Sequence, residues 1–208
     1  MGHLRNGPPS TLVLAIQNQL GLEDFIETGT HKGDTAAWAS GHFSRVTTIE
    51  LSEEFHRRAE SRFKGRPNIR CLSGDSPTVL SEIVPHLSRP AIFWLDAHWS
   101  GADTAGSAEQ CPVLRELAII AKSPLDHVVL VDDARLFCAP PPAPQHPDKW
   151  PSLPTIIEAL EPMRRFIVLH EDIFLAVPLG ARAFLNASLQ SAFEDSRRRK
   201  RLLPWLRQ

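Results

Sequence analysis

Five short runs of apolar and β-branched residues each break off at a carboxylate or a glycine: "DFIETG" (24–29), "RVTTIE" (45–50), "IRCLSG" (69–74), "AIFWLD" (91–96) and "HVVLVDD" (127–133). Such runs read as strands. Between them lie segments with apolar residues at helical spacing, over 34–43, 52–65, 76–87 and 112–122. One of these, "SEEFHRRAESRFKG", opens on a Ser cap with two acids in its first turn. Strands separated by helices pair in parallel through right-handed crossovers, so helices cover both faces of one sheet. A further helix over 10–20 precedes the first strand.

Beyond residue 137 the pattern changes. The Pro-rich run over 139–154 cannot be regular structure, and reads either as a loop beside a site or as a solvated linker. A helix over 153–163 follows, then two apolar runs, 165–170 and 171–178, with only a step between them, so this pair is antiparallel. The expected fold is α/β: a Rossmann-like, doubly wound, mostly parallel seven-stranded sheet, its last edge strand reversed in a C-terminal antiparallel hairpin. The 208 residues suit one domain, expected over 1–190, followed by a basic tail over 191–208.

A formal net charge of −1 gives no sign of a nucleic-acid partner, and no apolar run is long enough to suggest a membrane span. Cys71, Cys111 and Cys138 are widely spaced with no CxxC, which argues against a disulfide framework or a zinc site. With no apolar leader at the start, a reducing cytoplasm is the expected location.

Ligands of open α/β sheets bind at the carboxyl ends of the strands. At the first end, "ETGTHKGDT" (27–35), Gly29 and Gly33 bracket a tight turn where a backbone without Cβ lets a ligand approach. At the second, Glu50 either accepts hydrogen bonds from a ribose diol or stands solvated. At the third, Asp75 either accepts from an adenine amino group, with Ser76 adding a bond, or caps the helix that follows. At the fourth and fifth, Asp96, Asp132 and Asp133 bring three carboxylates together. They would repel one another without a cation, and hard oxygen donors suit Mg²⁺, Mn²⁺ or Ca²⁺. One Asp capping a turn, with the others solvated, is the alternative.

In that order, "FIETGTHKGDT", "IE", "GDS", "LDAH" and "VDD" resemble the metal-dependent O-methyltransferases of natural-product sugars, the macrocin and aminocoumarin type, over about residues 20–137. The resemblance implies a class I fold for S-adenosylmethionine (SAM). It implies that Glu27, Thr28, Gly29, Glu50, Asp75 and Ser76 line the SAM pocket, and Thr30, Gly33 and Asp96 at the same strand ends are expected to line it with them. It also implies that Asp96, Asp132 and Asp133 hold the divalent metal.

In those enzymes an Asp two residues beyond the first metal ligand is the general base, and here that position is His98. Histidine suits proton removal near neutrality, so His98 is the expected catalytic residue, with a structural role as its alternative. The gap from Asp96 to Asp132 is long, and "SGADTAGSAEQ" is expected to fill it as an added loop. His31 and Lys32 are placed to meet the SAM carboxylate or an acidic substrate.

The expected activity is SAM-dependent O-methylation of a hydroxylated small molecule, with homo-oligomers possible and neither nucleic acid nor membrane as partner. Its rivals are a SAM- or nucleotide-binding module without catalysis, and a metal-dependent hydrolase. The DAHxD motif of the latter would need Asp where Ser100 stands. The five consecutive basic residues 197–201 read as a solvated helix face, a loose terminus or a phosphate-binding run.

Overall fold

The computed structural model describes residues 7–99, 106 and 109–202, with the backbone alone over 195–202. Its centre is one seven-stranded sheet. The strands are β1 (Asp24–Thr28), β2 (Arg45–Glu50), β3 (Ile69–Ser73), β4 (Ala91–Leu95), β5 (Val128–Val131), β6 (Arg165–His170) and β7 (Ile173–Pro178), in the order β3-β2-β1-β4-β5-β7-β6. The first five are mutually parallel. β7 runs antiparallel to both β5 and β6. The reversed strand is therefore β7, inside the sheet, and not the edge strand as expected. The reason lies in burial: residues 173–177 of β7 are all buried, whereas β6 is only partly covered.

Alternate residues of each strand feed two cores. Phe93 and Leu95 pack with Ile26, Leu80, Leu117 and Leu160 beneath α4 (Ser76–Ile83), α5 (Val113–Ile120) and α7 (Leu153–Leu160). Ile92 and Trp94 pack on the other face with Phe25, Val13, Ile16 and Leu185, beneath α1 (Ser10–Leu20), α2 (Asp34–Ala39), α3 (Glu53–Arg62) and α8 (Arg182–Leu202). Strands covered on both faces read as continuous apolar runs, and "AIFWL" is buried throughout. The expected cap of α3 is present, the Ser52 hydroxyl accepting from the Phe55 N–H at 3.4 Å.

Two helices extend beyond the sequence expectation, which held only a helix face at 197–201 as one reading. The single turn α6 (Arg135–Cys138) follows β5, and α8 carries the chain through the expected domain boundary at 190 as one helix. The basic side chains at 197–201, the final residues 203–208 and most of the expected insert after Trp99 lie outside the described residues. Cys71, Cys111 and Cys138 are free thiols. Among the described residues, no helix is long and apolar enough to cross a membrane.

The tightest constraint on this architecture is at Gly29, where β1 gives way to the turn before α2. Its φ is +84°, and a Cβ there would lie 2.3 Å from the Asp96 carbonyl oxygen. Gly29→Ala therefore combines a left-handed backbone with a clash against main chain. It is expected to lower stability by about 1–3 kcal/mol, read as a fall in the urea midpoint at unchanged m-value.

Candidate active site at the strand ends

β1 pairs with β2 on one side and β4 on the other, so the crossovers leave in opposite directions and open a crevice above its end. Two cavities occupy the crevice. The first, about 320 Å³, lies over β2 and β3 and is lined by Glu50, Asp75 and Ser76, with Leu51 and Phe55 as apolar walls. The second, about 640 Å³, lies over the turn 29–35 and is lined by Glu27, Lys32, Trp38, Asp132, Asp133 and Arg135 among others. Gly29, His31, Asp96 and His98 line both, which makes the cavities neighbours across the end of β1.

In the first cavity Glu50 is fixed by two backbone donors: the His31 N–H reaches Oε2 at 2.7 Å and the Ser52 N–H reaches Oε1 at 2.8 Å. Each oxygen keeps a further lone pair for a ligand hydroxyl. Asp75 stands at the N-terminus of α4 without capping it through its side chain. Its Oδ2 accepts from Thr78 at 2.9 Å and from Arg115 at 3.2 Å, so it is held in the cavity wall. The Ser76 hydroxyl donates to Glu116 Oε1 at 2.5 Å.

Glu27 lies below the second cavity, buried, and accepts from the Thr48 hydroxyl at 2.6 Å, which in turn meets the Thr30 hydroxyl at 2.6 Å. Burial, which outweighs the Thr48 bond, pushes its pKa up to about 8. Gly33, at φ +78°, precedes α2 and lines this second cavity rather than the first. Thr28 stands apart from the other expected pocket residues. It is fully buried and lines neither cavity, and its carbonyl and hydroxyl accept from the Asp96 N–H at 3.1 Å and 3.3 Å, tying β1 to the end of β4.

The groups at the ends of β4 and β5 do meet. His98 Nδ1 lies 3.5 Å from Asp96 Oδ1, and Nε2 lies 2.5 Å from Asp133 Oδ2. Burial alone would lower the His98 pKa. The hydrogen bond that His98 Nε2–H donates to Asp133, with the charges of Asp96, Asp133 and Asp132, overcomes it and pushes the imidazole up to about 9. Asp133 is held below the usual carboxylate range despite its burial, through His98 and the Arg135 guanidinium. Burial lifts Asp96 to about 6, with His98 opposing and Asp133 adding to the rise. Asp132, crowded by Asp96 and Asp133 in a buried position, rises to about 8, and its Oδ1 accepts the Asp133 N–H at 2.8 Å.

The expected three-carboxylate metal site is not assembled. Both Asp133 oxygens are engaged, Oδ2 by His98 and Oδ1 by Arg135 at 2.5 Å. Among the described residues, no group of three or more His, Cys, Asp or Glu side chains is arranged to hold a metal ion. A divalent ion at these carboxylates would have to displace a cation of the chain itself, so the donor set as built does not fit one.

Sequence reasoning missed four contributors: Arg135, Glu116, Gln110 and Trp150. Glu116 had a signal, since it interrupts the stripe Val113, Leu117, Ile120 on α5, and buried beside Ser76 its pKa rises to about 7. Gln110 had none. Its Oε1 accepts from the His146 N–H at 2.8 Å and from the Trp150 indole at 3.3 Å, latching the Pro-rich segment. The Trp150 ring packs 5.5 Å from the His98 ring, so this segment is a loop backing the site and not a linker. Gly106 and Glu109 wall the first cavity.

No protein-family model and no curated protein matches this chain. Solved structures match in fold. The O-methyltransferase TomG from Streptomyces achromogenes, involved in tomaymycin synthesis and solved with SAM, has a TM-score of 0.56 at 16% identity, over 84% of this chain and 82% of that one. The N-methyltransferase NodS from Bradyrhizobium japonicum has 0.53 at 14%, over 81% and 93%. The methyltransferase domain of bacterial CtHen1 has 0.50 at 13%, over 80% and 96%. The chain has the fold of the class I SAM-dependent methyltransferases.

The buried Glu27 makes stability depend on pH. Because its folded pKa is raised, its favourable state is complete below the unfolded value of about 4.5 and is lost as pH rises through about 8. Wild type is therefore expected to lose stability relative to Glu27→Gln between pH 5 and pH 8, compared through urea midpoints at the two pH values.

Proposed function

We propose that this protein is a SAM-dependent methyltransferase acting on a hydroxyl of a small molecule, with His98 as the proton acceptor. The observation that carries the reading is the pair of adjoining cavities, one with a preset carboxylate at Glu50, the other holding the buried His98–Asp133 pair at its boundary. The donor set of the first cavity suits an adenosine: Glu50 for the ribose diol, Asp75 and Ser76 near the base, Leu51 and Phe55 against its faces. Gly29, Thr30 and Glu27 would flank the amino-acid end of the cofactor in the second cavity. SAM bound there supplies an electrophilic methyl group with its own leaving group.

The chain's part is to exclude water, position the acceptor and take its proton. Trp38 and Lys32 in the second cavity give a hydroxylated acceptor one apolar wall and one polar one. His98 lies between the two cavities and is oriented by Asp133, as a base is by a third group. Neighbours of this fold act on oxygen or nitrogen by their names. The choice of a hydroxyl here rests on that base, which an already nucleophilic amine would need less.

Two measurements test the reading. Calorimetry with S-adenosylhomocysteine (SAH) is expected to show binding that Glu50→Gln weakens by about 10–100-fold, the worth of a charged hydrogen bond. Methyl transfer from labelled SAM to a panel of hydroxylated small molecules is expected to fall by about 10²–10⁴-fold in His98→Ala while SAH still binds. With Asp96, Asp132 and Asp133 facing it from two strand ends, His98 is cationic near neutrality. Its neutral form grows as pH rises, so kcat/KM is expected to climb through about pH 9 and level above it. A flat profile, or transfer undiminished in His98→Ala, would remove His98 from the mechanism.

A further inference from the structure

The carboxylates at the ends of β4 and β5 already have a cation of the chain's own. Arg135, half-exposed at the start of α6, uses one nitrogen, Nη1, to reach both Asp133 and Asp172. The same residue's backbone N–H donates to Asp172 Oδ1 at 2.8 Å, and the neighbouring Ala134 N–H donates to the Asp172 carbonyl at 2.8 Å. The turn between β6 and β7 is thereby bolted to the end of β5. Asp133 and Asp172 both have left-handed backbone conformations, at φ +56° and +115°, and both carboxylates close on this one guanidinium. Non-glycine residues persist in such conformations only where their surroundings over-determine them.

We propose that Arg135 is the resident cation of the acidic strand ends, a positioning residue that stands where a divalent ion would otherwise bind and holds Asp133 in place for His98. Asp133 has two oxygens, and the guanidinium takes one so that the other is left facing the imidazole. The catalytic consequence rests on His98 being the proton acceptor; the charge balance does not.

The test is an Mn²⁺ titration followed by electron paramagnetic resonance, on EDTA-stripped wild type, Arg135→Gln and Arg135→Lys, with circular dichroism to check folding. Wild type is expected to show no site tighter than about 1 mM, the weak-affinity end of the scale. Arg135→Gln is expected to bind Mn²⁺ at least about tenfold tighter, because it leaves the acids without their cation. Arg135→Lys, which keeps the charge, is expected to behave as wild type, a rescue that loss of a merely structural contact would not give.

Stoichiometric Mn²⁺ on wild type that Asp133→Asn abolishes would overturn the proposal, as would a folded Arg135→Gln that gains no site. The wild-type titration is decisive even if Arg135→Gln does not fold. SAH binding is read in the same samples, and its failure would count against the methyltransferase reading while leaving the cation assignment standing.

Discussion

At the Gly29 turn the ends of β1 and β4 come so close that only a hydrogen fits between the glycine Cα and the Asp96 carbonyl, and the positions of the surrounding groups follow from that contact. Thr28 secures it from the β1 side by accepting the Asp96 N–H. The contact sets where β4 stops and thus where Asp96 and His98 stand. It also sets where the turn before α2 passes, so that the His31 N–H meets Glu50 across the mouth of the first cavity. A side chain at position 29 would separate the strand ends that the two cavities share.

The second determinant is electrostatic. The crevice gathers more carboxyl groups than solvent or paired cations can serve, and the structure handles the excess in two ways. Burial lifts Glu27, Glu116 and Asp132 well above the usual carboxylate range, and each accepts a hydrogen bond from a hydroxyl or a backbone N–H. Asp133 is kept ionised between an imidazolium and a guanidinium. A buried charge is tolerated only when it is paired, and Asp133 is the carboxylate here that has both its partners.

The fold by itself says little about the acceptor. Proteins named for O- and N-methylation share this fold at 14–16% identity, so the fold does not choose the methylated atom, and in the function proposed above that choice falls to the second cavity and the groups around it. Here those groups are His98, Asp133 and Arg135, backed by Trp150 and Phe137 from the Pro-rich side.

The sequence by itself determined the sheet and the strand-end placement of one half of the candidate site. Apolar runs ending on acids, separated by helical spacing, dictate parallel strands, and parallel strands place Glu50, Asp75 and Asp96 along one edge because each group sits at the same end of its own strand. Local order sufficed there. It did not suffice for β7, which enters between β5 and β6 because its buried residues demand cover on both faces. Nor did it suffice for the carboxylates of β4 and β5. Counting acids predicts a metal, but what balances them is Arg135, in the sequence only an ordinary basic residue, clamped by an Asp172 that arrives from a turn 37 residues further on. Charge balance depends on distances between distant segments, and only the tertiary structure supplies those.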